Sequence, residues 1–126
     1  MRKHVYKDLS EAEMMILKLL WKENRKMSAV QIVEHFPEKE WKITTVSTFL
    51  SRMIEKKVVR SEREGRIFFY YPTVTPAELK KRKAWSFLSE NFSSVKDFVL
   101  ALGDERITSE EAEEIDRILS KIEDEI

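Results

Sequence analysis

The side chains of this chain best suited to chemistry are hydroxyls and arginines. Thr44, Thr45, Ser47, Thr48, Ser51 and Arg52 are interleaved with Val46, Phe49, Leu50, Met53 and Ile54. The apolar set recurs at helical spacing, which predicts a helix with one buried stripe and the polar set turned outward. Hydroxyls donate and accept hydrogen bonds, and a guanidinium donates in a planar fork that fits phosphate or guanine. Lys42, just ahead, adds a cation. Such groups recognise polar surfaces, and a hydroxyl becomes a nucleophile only beside an activating base. Short side chains also let a helix backbone approach the floor of a DNA major groove. Serine and threonine are poor helix formers, so five of them in one helix cost stability that groove contact would offset.

Groups that would carry catalysis are scarce. There are two histidines, His4 and His35, no cysteine, and no glycine-rich phosphate loop, since Gly65 and Gly103 are the only glycines. His4 lies near the start and His35 at a helix end before Phe36-Pro37, so both read as surface residues. Glu110-Glu111 and Glu113-Glu114 read as a solvated helix face rather than an acid–base pair. The expectation is a non-enzyme without cofactor or metal. With no cysteine, no membrane-length apolar run and no signal-peptide pattern at the start, the expected location is cytoplasmic and off the membrane.

The zero net charge conceals an asymmetry. Residues 1–83 carry 19 Lys and Arg against 11 Asp and Glu, a net of +8; residues 84–126 carry 4 against 12, a net of −8. The basic part can meet a polyanion, and the acidic part must have another task.

The elements that would position the hydroxyl face follow from caps and periods. Ser10-Glu11-Ala12-Glu13 is a capping box opening a helix to about Asn24, with Met14, Ile16, Leu17, Leu19, Leu20 and Trp21 as its apolar residues. Ser28 caps a short second helix with Val30, Ile32, Val33 and Phe36, stopped before Pro37. Residues 38–43 form a turn in which Trp41 is a buried peg, and the third helix starts near Thr44. The period then changes to that of strands over 58–63 and 67–72, joined by a tight turn at Glu64-Gly65-Arg66. Helices follow from Pro76, capped by Thr75, then through Val95–Leu102 to Gly103, and last from a Thr108/Glu111 capping box.

Helix, helix, turn, helix and hairpin in that order is a winged helix-turn-helix. The fold class is mainly α with a small β-hairpin wing (α+β), with residues 1–75 as a DNA-binding domain and 76–126 as a helical dimerisation domain. Arg60, Arg63 and Arg66 sit on or beside the hairpin, where they can reach phosphates or a minor groove, and Lys56 and Lys57 close the third helix. The candidate DNA-binding set is Lys42, Thr44, Thr45, Ser47, Thr48, Ser51, Arg52, Arg60, Arg63 and Arg66. A winged-helix module that binds other proteins rather than DNA is the alternative.

Ser10-Glu-Ala-Glu with Trp21, then Thr45-Val-Ser-Thr-Phe-Leu-Ser-Arg52-Met with Glu55-Lys56-Lys57, then Arg66-Ile-Phe-Phe-Tyr-Tyr71, resembles the BlaI/MecI family of penicillinase and methicillin-resistance repressors. The resemblance implies a homodimer on a palindromic operator, blocking transcription, with a C-terminal segment that dimerises. It also implies a sensor-activated protease as partner, which cuts family members between Asn and Phe; the matching pair here is Ala101-Leu102, a departure from that pattern. Val58 stands where the family usually has Gly, and the cysteine motif of the copper-responsive relatives is absent.

Residues 84–126 are too few to sustain a core alone, yet they hold Phe92, Val95, Phe98, Val99, Leu102, Ile115, Ile118, Leu119 and Ile122. Burying each is worth roughly 1.5–3 kcal/mol. A second copy in two-fold symmetry is the simplest cover, and these nine are the candidate dimerisation residues.

Overall fold

The computed structural model describes residues 8–101 and 108–124. They fall into two compact units that divide between Thr75 and Pro76. The first contains α1 (Glu11–Glu23), β1 (Met27–Ser28), α2 (Ala29–Glu34), a 3₁₀ turn (Pro37–Lys39), α3 (Ile43–Glu55), β2 (Val59–Glu64) and β3 (Ile67–Pro72). The second contains α4 (Pro76–Asn91), α5 (Val95–Ala101) and α6 (Ser109–Asp124). It is a winged helix-turn-helix followed by helices, mostly α with one small antiparallel sheet.

The caps act as their sequences require. The Ser10 hydroxyl accepts from Glu13 N, and the Glu13 carboxylate accepts from Ser10 N at 2.7 Å. Ser28 and Gln31 repeat the exchange at α2, with Ser28 N donating to Gln31 Oε1 at 2.9 Å. Asn24 ends α1 at φ 51°, a left-handed conformation that asparagine tolerates. The core of this unit gathers Ile16, Leu17 and Leu20 from α1, Met27 from β1, Ile32 from α2, Val46, Leu50 and Met53 from α3, then Val58 and Val59. Trp21 closes its edge, its indole N–H donating to Val74 O at 2.8 Å.

Several local expectations are corrected. Val30 and Ile54, placed on apolar stripes by periodicity, are exposed at 46% and 38%. Trp41 is half-buried, its ring edge-on to Phe49 at 5.4 Å and tilted on Phe36 at 5.3 Å. The wing also has a third strand. β1 pairs with β3 (Met27↔Tyr70, Ser28↔Phe69), so the sheet order is β1-β3-β2. A two-stranded hairpin is marginal in water, and this extra pairing anchors it beside its packing on the helices.

α3 passes into β2 through a three-residue turn, Lys56–Val58. Lys57 N donates to Ile54 O at 3.0 Å and Val58 N to Met53 O at 3.1 Å, the paired bonds of a Schellman motif. Lys57 takes the left-handed position at φ 61°, which glycine adopts more cheaply. Val58 and Met53 are both fully buried, as the apolar pair of such a motif requires. The hairpin turns at Gly65, φ 63°, between the paired Glu64 and Ile67.

Candidate nucleic-acid interface

The outer side of α3 is built by default. Val46, Leu50 and Met53 are held at 0% exposure, so Thr44, Thr48, Ser51 and Arg52 project into solvent, with Thr45 and Ser47 half-buried on its flanks. The Thr48 hydroxyl donates to Thr44 O at 3.0 Å, leaving its oxygen to accept and its methyl to meet apolar groups. Lys42, exposed, occupies the N-cap without a side-chain cap bond, and no acid lies in the first turn of α3. That end therefore keeps open N–H groups and the positive pole of the helix dipole, both favourable to phosphate.

The sheet register sorts the three wing arginines. Cross-strand pairs share a face, and faces alternate along a strand. Arg63 lies on the face of Val59 and pairs with Phe68. Its guanidinium sits 5.8 Å from the Phe68 ring centroid and its Nε donates to Gly65 O at 2.7 Å. Arg66, at the turn, lines a cleft together with Ser47 of α3. Arg60 lies on the opposite face, with Glu62 and Glu64. Lys26 bridges those two acids, at 3.0 Å for Glu62, and approaches the Phe69 ring at 5.7 Å. Arg66, with Arg63 against the neighbouring Phe68, thus joins the Ser47 flank of α3, and Arg60 stands on the other face of the sheet.

Lys56, read from the sequence as a cation closing the recognition helix, serves the frame instead. Its ammonium contacts Glu13 Oε1 at 2.7 Å and Asp8 O at 2.8 Å, and its side chain is 17% exposed against 1% for Glu13. Burial pushes the Glu13 carboxyl up, but hydrogen bonds from Lys56 and Ser10 more than offset this, so the group titrates below its ordinary value. Glu13 Oε2 is buried without a partner. The start of α1 is thereby clamped to the end of α3.

Sequence reasoning also passed over Glu55. It follows Thr44, Thr48 and Ser51 on one stripe at steps of four, three and four, and it is exposed. The same helical period that singled out the hydroxyls contained this signal. It places a negative charge about 16 Å along the axis from Thr44, at the far end of the face.

In the second unit α5 packs on α6. Val95, buried, donates its N–H to Asp116 Oδ1 at 2.9 Å, and Lys96 pairs with Glu113 at 2.7 Å. Val95 therefore holds α5 to α6 within one chain rather than offering itself to a second copy. Phe87, Phe92 and Phe98 form an aromatic trio with centroid separations of 5.2–6.5 Å. Phe92, Phe98, Val99 and Ile115 are half-buried. Phe87, Leu100 and Ile118 are exposed at 52%, 44% and 53%, and of these only Ile118 had been singled out in the sequence. Leu102 lies outside the described residues, as do the side chains of Leu119 and Ile122; Ala101 ends α5.

No helix among the described residues is long and apolar enough to cross a membrane. Comparison with known protein families matches residues 9–121 to the model described as penicillinase repressor. The chain belongs to the penicillinase repressor family. Members are transcriptional repressors and not enzymes. The chain is 27% identical over 115 residues to the penicillinase repressor of Bacillus licheniformis, covering 90% of each chain. It is 27% identical over 120 residues to the methicillin resistance regulatory protein MecI of Staphylococcus aureus (strain N315), covering 90% of this chain and 94% of the relative. Among solved structures it is similar to the DNA-binding domain of the repressor BlaI, at 25% identity and a TM-score of 0.50 over 60% of this chain and 92% of that one.

Proposed function

We propose that this repressor binds a palindromic operator in double-stranded DNA as a homodimer, with α3 in the major groove and the tip of the wing on the backbone, and so blocks transcription. The observation that carries the reading is the outer face of α3. Four exposed side chains there are small hydroxyls or an arginine, no acid lies in the first turn, and Arg66 shares a cleft with Ser47. Membership of a repressor family supports it, as does the likeness to the BlaI DNA-binding domain. Arg63 and Arg66 contribute more than Arg60, whose face carries Glu62 and Glu64.

The dimer reading rests on the second unit, where Phe87, Leu100 and Ile118 remain exposed on helices too few to cover them. A second copy would cover them and place two recognition helices on half-sites roughly 34 Å apart, one DNA turn, or a multiple of it. One domain alone would bind weakly. Tethering makes the second half-site effectively intramolecular, so separating the C-terminal units, by proteolysis or otherwise, would release the DNA.

Selection of bound sequences from random duplexes tests symmetry, spacing and DNA binding together. An inverted repeat is the expected product, with log affinity falling linearly in log salt at a slope near −0.9 per phosphate neutralised. Failure to retain any duplex at low salt would replace this reading with a protein-binding winged helix.

A further inference from the structure

Beside the recognition helix the first unit holds a cleft of about 440 Å³, lined by Ser28, Ala29, Val30, Ser47 and Arg66–Phe68 with Tyr70. That volume is in the range of small-molecule sites, which combine a mostly apolar wall with a few converging polar groups. Two of its walls are apolar side chains that folding leaves in water, Val30 at 46% and Phe68 at 48% exposure, and Ile67, on the other face of the strand, closes the rim. Single exposed apolar residues need no explanation, but two from different elements meeting in one concavity do. A phosphate backbone has little use for such a wall, because nucleic-acid interfaces are polar and basic.

The charge of the cleft is one-sided. Arg66 is the only ionisable side chain on its lining apart from the Tyr70 phenol, and it makes no ion pair among the described residues. Arg63 lies against Phe68 and adds a second positive charge. Of the nearest acids in sequence, Glu62 is on the face opposite Phe68 and Tyr70, and Glu64, paired with Ile67 at the rim, is held with Glu62 by Lys26. The Ser47 hydroxyl supplies a hydrogen bond from the α3 side. A flat apolar body would lie along Val30, Phe68 and the Tyr70 ring, and an attached carboxylate would meet the Arg66 guanidinium, whose fork matches it.

We propose that this cleft binds a small aromatic carboxylate and that its occupant competes with DNA for Ser47 and Arg66. The competition rests on the DNA-binding reading given above; the ligand site does not. Repression would then respond directly to a metabolite of this class, without cleavage of the chain.

The test uses the full chain, isotopically labelled, titrated with 2-naphthoate and separately with the uncharged 2-naphthamide. Expected are amide shifts confined to residues 28–30, 47 and 66–70, with naphthoate binding at least tenfold tighter than naphthamide. Arg66→Gln should bring naphthoate down to the naphthamide affinity, and Phe68→Ser, at an exposed site, should weaken both while preserving spectral dispersion elsewhere. Absence of shifts at those amides up to 10 mM naphthoate, or an Arg66→Gln protein that still prefers the acid, overturns the site. A second titration adds naphthoate to the selected duplex complex. Release of duplex supports competition, and a complex indifferent to naphthoate that binds the free protein overturns it. A protein that binds naphthoate but never binds duplex would refute the DNA reading and leave the site standing.

Discussion

Replacing Lys56 by Met separates two roles that a lysine at the end of a recognition helix can have. The ammonium meets a Glu13 carboxylate that is 1% exposed, and the lysine side chain itself is 17% exposed. Without Lys56, Glu13 keeps the Ser10 N–H but faces the interior as an unpaired charge. Breaking a buried pair in this way costs about 3–5 kcal/mol. The carboxyl can instead take up a proton. From its ordinary value of 4.5 to pH 7 that route costs about 3 kcal/mol, at 1.36 kcal/mol per unit. The cheaper route sets the ceiling, so Lys56→Met should lose about 3 kcal/mol at pH 7 and under about 1 kcal/mol at pH 5. In melting temperature the pH 7 loss is about 12–24 °C for a domain of this size. The wild-type protein has the opposite trend. A carboxyl held below its ordinary value stabilises the fold above that value, and the contribution disappears as pH falls through the lowered folded-state value. Urea unfolding followed by Trp fluorescence at the two pH values measures both trends, and Glu13→Gln combined with Lys56→Met should recover most of the loss at pH 7. A loss below about 1 kcal/mol at pH 7, or equal losses at both pH values, would refute the clamp. Weaker duplex binding with an unchanged melting temperature would return Lys56 to the DNA surface.

The remaining expectations concern α3 and its ends. Thr48→Ala and Arg52→Ala should each weaken operator binding about 10- to 100-fold, the worth of a base or phosphate contact, in a mobility-shift titration. Neither should lower the melting temperature, because both side chains are exposed and alanine favours the helix. Glu55→Gln should tighten operator binding roughly two- to fivefold at low salt, with the gain fading by about 0.5 M, as removal of an exposed acid near phosphates requires. Lys57→Gly should stabilise the fold by about 0.5–1 kcal/mol in urea unfolding, since glycine takes φ 61° without the cost a side chain meets there.

Local chemistry was legible wherever it was written within a few residues. The Ser10/Glu13 and Thr108/Glu111 boxes and the turn at Gly65 all depend on neighbours at fixed short offsets, and all form. The outward side of α3 was legible for the same reason, because a 3.6-residue period carries its own geometry. Less visible were features that depend on distant partners. The Glu13–Lys56 clamp joins residues 43 apart, and Glu13 looked fully used by its cap. β1 is two residues long, too short to show a period, and its partner strand lies some forty residues on. Val30 and Ile54 have the right spacing for a core but lie where no element covers them, which periodicity alone does not reveal. The assignment of Arg60 failed to separate from that of Arg63 because the alternation of a strand was not carried through to its charges.

The short edge pairing of Met27 and Ser28 with β3 has a mechanical consequence. It stitches the hairpin to the lead-in of α2, while the three-residue turn after Glu55, closed by backbone hydrogen bonds, ties its other strand to α3. The wing is tied to the helices at both sides, which resists a swing to meet DNA of a different groove width. Operators would then be told apart partly by how easily they deform to a gauge fixed in advance.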